Sequence, residues 1–427
     1  MCNHAWIAGS EGITRSHHEK NRDPPGAEVK KKIGIEKLDI QNTIKRCPVC
    51  GSNDYEQIFE LYEGPVVTSD HGFLDQAILD NRCCRNCGLI YNAEGTRKFT
   101  TEFYKSSYRL MLKKTESEIQ SFSGKLPISQ SERTFNILCE MVAISEKGNI
   151  FEVGAGKGDF LKLFSNRYEK WDISAIEPSA SAEILKQRFP SSDIIHSVYK
   201  GYKIEHDKYN LMVSLGVLEH LENPLDMFDW VRNGLKDNGI LFIRVPNFER
   251  NPNDLLCGDH LSKLTVDTLS NLAEAAGFKV IDVREAGVPI FMILKKVVFT
   301  SRSLKNAFDQ NISIARQNSD FIKKMLDAIN HARNRAKEKG ENFAIFGLAS
   351  AGMFSPFYLN FDPADITAYV DENQSMWNNT VLGCPVGGLD LISKLNIKHV
   401  ALSISPVYFE TIIRKLESLG VSIYAPK

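Results

Sequence analysis

Phe151-Glu152-Val153-Gly154-Ala155-Gly156-Lys157-Gly158-Asp159-Phe160-Leu161 reads as a strand, a glycine-rich turn and the start of a helix. Glycines let a ligand approach the backbone, and a helix start offers free N–H groups. A dinucleotide turn would read Gly-x-Gly-x-x-Gly, with glycine where Asp159 stands. The spacing here is Gly-x-Gly-x-Gly, with Glu152 two residues before the first glycine. A carboxylate there suits a ligand carrying a cationic amino group better than a pyrophosphate. The next strand ends Ala175-Ile176-Glu177-Pro178, which puts a second acid where two ribose hydroxyls can be held.

Outward from this turn, strands expected over Asn149–Val153, Asp172–Glu177, Asp193–His196, Tyr209–Leu215, Gly239–Val245, Lys279–Glu285 and Val288–Val297 alternate with helical patterns. That alternation predicts an open α/β sheet with helices on both faces. Residues 304–339 break the rhythm. Ile314, Phe321, Ile322, Met325, Leu326, Ile329 and Ala332 fall on one face of a long helix that packs on a core or links two domains. A second α/β unit follows. It holds Gly347-Leu348-Ala349-Ser350-Ala351-Gly352 and a strand ending at Asp371, close to a dinucleotide fingerprint but with Ala349 at a glycine position.

At 427 residues the chain allows roughly three domains. Lys+Arg is 52 against Asp+Glu 53, which argues against coating nucleic acid or an acidic membrane. No apolar run approaches the ~18 residues that cross a bilayer, and Met1–Trp6 lacks the basic and apolar signature of export. A soluble, cytoplasmic protein is the expectation. Nine cysteines, an odd number, argue against a disulfide framework.

Four of them form Cys47-Pro-Val-Cys50-Gly51 and Cys84-Arg-Asn-Cys87-Gly88, two Cys-x-x-Cys turns each closed by glycine. Two such pairs can complete one tetrahedral zinc site, structural because thiolates take all four positions. Cys83 competes with Cys84, and the matched Cys-x-x-Cys-Gly ending favours Cys84. Cys2, His4, His17 and His18 have no trusted zinc spacing and belong to a polar, disordered leader over residues 1–43.

The glycine turn, Glu177, Tyr209-Asn-Leu-Met-Val-Ser-Leu-Gly-Val-Leu-Glu219-His220 and Gly239-Ile-Leu-Phe-Ile-Arg-Val-Pro246-Asn247 together resemble the class I S-adenosylmethionine-dependent methyltransferases. The resemblance implies that Glu152 and the turn residues Gly154, Ala155, Gly156 and Gly158 face the methionine part of the cofactor. It implies that Glu177, followed by Pro178, takes the ribose hydroxyls, and that Leu215 lines the cleft. Over residues 45–427 the chain also resembles the three-part, zinc-containing C-methyltransferases that act on nucleotide-linked keto-sugars. The parts implied are a zinc-binding module at 44–100, a cofactor-binding domain at 101–300, a helical linker at 301–340 and a Rossmann-like domain at 341–427.

That family carries Tyr-x-Glu-His-Leu-Ser, whose histidine acts as base. Here the stretch is Cys257-Gly258-Asp259-His260-Leu261-Ser262, so His260 is kept, Asp259 replaces glutamate and Cys257 replaces tyrosine. A carbon beside a carbonyl must lose a proton before it attacks a methyl group, and neutral histidine suits that task. His220 is a second candidate. The lost tyrosine leaves O- or N-methylation open. An NAD(P)-dependent oxidoreductase using the C-terminal unit, and a non-catalytic zinc-containing interaction protein, are the alternative readings. The substrate expected is a sugar or nucleotide-sugar.

Overall fold

A computed structural model describes residues 46–94, 103–107, 119–120, 128–299 and 301–426. The leader expected at 1–43, with Cys2, His4, His17 and His18, lies outside the described residues.

The central sheet has seven strands: β1 (Lys147–Val153), β2 (Lys170–Ile176), β3 (Asp193–Ile195), β4 (Tyr209–Leu215), β5 (Leu235–Pro246), β6 (Phe278–Glu285) and β7 (Pro289–Lys296). Their spatial order is β3-β2-β1-β4-β5-β7-β6. The first five are parallel, and β7 runs antiparallel to both neighbours. Parallel strands covered on both faces read as apolar runs. Accordingly Phe151 in β1 and Leu211, Met212 and Val213 in β4 are buried. Strand β5 begins four residues before the expected Gly239, because Leu235 pairs with Tyr209 ahead of a register shift.

Helices α1 (Gln130–Met141), α2 (Asp159–Arg167), α3 (Ser181–Arg188), α4 (Pro224–Gly234) and α5 (Val266–Ala275) cover the sheet. Ser129 caps α1 by accepting from the Glu132 amide, a stabilisation of about 1 kcal/mol. The strand order reverses between β1 and β4. Clefts in such sheets open at that switch point, beyond the carboxyl ends of the strands.

Two smaller sheets flank this one. Tyr55–Gln57, Asn81–Cys84, Ile90–Asn92 and the distant Ser262–Lys263 make a four-stranded antiparallel sheet. A separate hairpin, Tyr62–Val67 with Phe73–Leu79, projects beside it. In the C-terminal sheet the order is Thr380–Val381, Cys384–Gly387, Ala368–Val370, Asn342–Phe346, Ile397–Leu402, Ser422–Tyr424. The long helix α6 (Phe308–Lys339) buries Ile322, Met325, Leu326 and Ile329 in a core shared with Leu79 and Ile90 of the cysteine-rich region and with Phe343 and Tyr369 of the C-terminal sheet. Each such side chain contributes about 1.5–3 kcal/mol on burial. Among the described residues, no helix is long and apolar enough to cross a membrane.

Candidate active site

The turn after β1 holds Gly154, Gly156 and Gly158 at positive φ, as left-handed backbone requires. At Gly154 a Cβ would stand 2.5 Å from a Val217 methyl, so a side chain is excluded on steric grounds as well. Asp159, in the place of a dinucleotide glycine, pairs with Arg188, which also donates to the Lys157 carbonyl at 3.0 Å. Glu177, just past β2, accepts from the Gly156 and Ser179 amides, each at 2.8 Å. Glu152 is 2% exposed, and its Oε2 has no hydrogen-bond partner among the described residues. Burial, with Glu177 adding to it and Arg244 opposing, holds the Glu152 carboxyl well above the usual range.

A cavity of about 360 Å³ opens here. Gly154, Gly156, Glu177, Pro178 and Leu215 of the sequence-derived set line it, whereas Glu152, Ala155 and Gly158 do not. Tyr104, His220 and Leu261 also contribute to its wall.

The structure brings His220 and His260 together, with ring centroids 4.7 Å apart. The His220 Nδ1 lies 2.9 Å from the Asp259 carbonyl oxygen and 3.0 Å from the Tyr104 hydroxyl. A carbonyl only accepts, so in the neutral ring Nδ1 carries the proton and Nε2 the lone pair. His260 turns its Nδ1 to the Asp254 carboxylate. Burial opposes charge on His260, but Cys257 and Asp254 outweigh it and hold the imidazole well above its ordinary pKa.

Asp259 does not serve its neighbour His260 in this way. Its carboxylate takes the Ser69 amide at 2.8 Å and the Ser69 hydroxyl at 2.6 Å, clamping the hairpin tip to the loop. Burial opposes charge on Asp254 and Asp259 too, yet nearby His260 and Lys263 for the first, and His220 and His260 for the second, keep both carboxyls low. Asp254, Ser69, Tyr104 and the buried Glu219 are absent from the sequence-derived set. Ser69 and Tyr104 lie far from His260 along the chain, so no local spacing marks them.

Lys263 is fully buried and donates to the Cys257 and His260 carbonyls at 2.9 and 2.6 Å. Lys263→Met should lower stability by about 3–5 kcal/mol, because buried Asp254 loses a cation and two carbonyls lose their donor. Urea unfolding checks this; an unchanged midpoint would refute it.

The four paired cysteines also converge. Cys47 and Cys87 sulfurs are 3.7 Å apart, Cys50 and Cys84 sulfurs 3.4 Å, and all four lie within 4.8 Å of one another. Zinc–thiolate bonds near 2.3 Å place tetrahedral sulfurs about 3.8 Å apart, so the spacing fits. Gly51 and Gly88 amides close the two turns on the Cys47 and Cys84 carbonyls at 2.9 and 2.8 Å. Cys83 points elsewhere, to the Gly88 carbonyl at 3.7 Å.

Residues 130–283 match the family model described as a methyltransferase domain. The chain carries a class I methyltransferase domain. Beyond that domain, the C-methyltransferase NovU of Streptomyces niveus is 22% identical over 271 residues, 58% of this chain and 60% of that protein. Trans-aconitate 2-methyltransferase of Rhizobium rhizogenes is 24% identical over 120 residues, 28% of this chain and 46% of the enzyme. The chain therefore spans less than two thirds of the length of either relative. Among solved structures, an S-adenosylmethionine-dependent methyltransferase from Aquifex aeolicus covers 46% of this chain and 97% of its own, at 15% identity and a TM-score of 0.34. Within the methyltransferase domain lie the glycine turn, both acids and both histidines.

Proposed function

We propose that the chain transfers a methyl group from S-adenosylmethionine to a small sugar substrate, carried on a nucleotide. The acceptor is a carbon beside a keto group, with sugar oxygen or nitrogen as the variant reading. One observation carries this: a single cavity has Glu177 and the glycine turn in its wall and reaches His220, which meets the His260 ring edge-on.

The residues fit the cofactor. Among the described residues Glu152 keeps an unpartnered, buried oxygen, and Gly154 and Gly156 bring bare backbone to the cavity wall. Gly154 and Gly156 in the wall, with Glu152, Ala155 and Gly158 of the same strand and turn supporting them, would hold its methionine part, Glu177 and Pro178 its ribose, and Leu215 the cleft wall. Bound there, S-adenosylmethionine supplies an electrophilic methyl group. His260 takes the proton from the acceptor carbon, and Asp259 braces the loop that presents it. An imidazole with a raised pKa is neutral only at higher pH, so turnover should climb as the pH passes through it.

Cys47, Cys50, Cys84 and Cys87 would hold a structural zinc ion within a module at 44–100, ahead of a cofactor domain at 101–300, a linker at 301–340 and a Rossmann-like domain at 341–427. No nucleic acid or membrane enters this reading, and a cytoplasmic setting suits free thiols.

The test uses methyl-labelled cofactor with a panel of nucleoside-diphosphate keto- and hydroxy-sugars. Labelled sugar is expected; binding of S-adenosylhomocysteine without labelled sugar from any member would overturn the substrate class.

Glu152 gives a further check. A cationic amino group pairs with the carboxylate and not with the acid, so S-adenosylhomocysteine affinity should rise with pH through the elevated Glu152 pKa. Glu152→Gln should flatten that dependence and weaken binding about tenfold at high pH, as a lost charge-assisted bond implies. Calorimetry reads both, and an unchanged pH dependence would remove Glu152 from the site.

A further inference from the structure

The turn Gly347–Gly352 has the outline of a nucleotide-binding loop, yet the amides of Gly347, Leu348, Ala351 and Gly352 are spent inside the chain. Gly347 N–H donates to the Val370 carbonyl at 2.7 Å, and Leu348 N–H to Asp371 Oδ2 at 2.8 Å. The Gly352 amide meets the Ser403 hydroxyl at 2.6 Å. Asp371, which would hold a ribose in a dinucleotide site, spends its other oxygen on the Asn373 amide at 2.7 Å. A Cβ at Gly347 would fall 2.3 Å from an Ile404 methyl and 2.7 Å from the Ser403 carbonyl, so this glycine answers a packing demand.

The remaining contact points outward from the C-terminal sheet. Ala351 N–H, in the first turn of α7 (Ser350–Tyr358), donates to the buried Asn253 side chain at 3.0 Å. Asn253 is followed by Asp254, whose carboxylate meets His260 Nδ1. The surrounding stretch is fastened by the Ser405 hydroxyl on the Arg250 carbonyl, by Asn318 on the Phe248 carbonyl at 2.6 Å and by Asn81 on the Leu255 carbonyl at 2.8 Å. Three parts of the chain thus grip one short segment, and the end of that grip is a histidine.

We propose that the Gly347–Gly352 turn is a seat for the Asn253–Asp254 step, and that Asn253 and Asp254 are positioning residues which fix the His260 ring as proton acceptor. This rests on the reading of His260 as the base. The C-terminal unit then acts on the reaction by holding the loop, without a nucleotide of its own at that turn. Asp254 holds the proton on Nδ1 of the neutral ring and leaves the lone pair on Nε2. The titratable and charged groups facing His260 are Asp254, Cys257, Asp259, His220 and Glu219, with Lys263 bonded to its carbonyl.

The experiment follows His260 directly in the full chain, labelled with nitrogen-15 histidine. The chain has 10 histidines, so the His260 signal is assigned by its loss in His260→Gln. In the wild-type chain His260 should titrate above the ordinary value of about 6.5. Asp254→Asn should lower that midpoint by about one unit or more, because it removes the facing charge. Asn253→Ala keeps the carboxylate but frees the step, and should lower the midpoint in the same direction by a smaller amount. A midpoint at the ordinary value, unmoved by either substitution, would overturn the proposal. Should Asp254→Asn fail to fold, Asn253→Ala alone decides.

A second arm separates this from the functional reading. A nucleoside-diphosphate 4-keto-sugar with S-adenosylhomocysteine in heavy water reports exchange at the carbon beside the carbonyl. Exchange lost in His260→Gln, and slowed about tenfold or more in Asp254→Asn and Asn253→Ala, supports both. Exchange lost only in His260→Gln sinks the positioning role and keeps the base. Exchange unaffected in His260→Gln removes the base reading, and with it the role assigned to Asn253 and Asp254. Tight binding of NADH abolished by Asp371→Ala would also overturn the assignment of the turn.

Discussion

Cys47→Ser with Cys87→Ser should strip bound zinc from about one equivalent per chain to none and leave the protein unable to hold its cysteine-rich sheet. The magnitude follows from two comparisons. Structural zinc sites return about 10–16 kcal/mol of apparent binding energy at neutral pH, all of it available only to the folded arrangement. Net stabilities of folded chains lie at about 5–15 kcal/mol. Losing two of four ligands therefore removes an amount comparable to the whole. Elemental analysis and thermal unfolding measure the outcome. Cys83→Ser is the control: its sulfur faces the Gly88 carbonyl and not the cluster, so the metal should stay. A folded, metal-free wild-type preparation would refute the zinc assignment, and metal loss in Cys83→Ser would redraw the ligand set.

His260→Ala should cut turnover by about 10²–10⁴-fold, the usual contribution of a positioned base. Affinity for S-adenosylhomocysteine should stay within about twofold, since the ring acts on the acceptor and not on the cofactor. The wild-type rate should rise with pH as the raised His260 pKa is passed, because only the neutral ring accepts a proton. His220→Ala should cost less, about tenfold, as a lost wall and hydrogen bond to the Asp259 carbonyl. If the two losses came out in the opposite order, His220 would be the acceptor.

The parts legible in the sequence were those in which neighbours along the chain are neighbours in space. The β1 turn, Glu177 at the end of the next strand and the two Cys-x-x-Cys-Gly knuckles are all of this kind. So was the long helix, whose apolar face repeats at helical spacing. Ser69 and Tyr104 needed the fold, because they reach Asp259 and His220 across long stretches of chain, and Asp254 needed the loop's fold-back onto His260 six residues on. Asp259 shows the opposite hazard. Adjacent to His260 in sequence, it faces Ser69 instead, since it stands in the turn that precedes His260. Gly347–Gly352 left two readings open for a different reason. A backbone that must approach Ser403 closely and one that must approach a phosphate both call for glycine.

Ser262–Lys263 closes the cysteine-rich sheet by pairing with Ile90–Tyr91, immediately after His260. A chimera with a relative would therefore have to take residues 46–94 and 253–263 as one block to keep these contacts. A crossover between them would join the His260 loop to a sheet edge with other side chains. The two segments lie far apart in the gene, although they are continuous as hydrogen-bonded backbone.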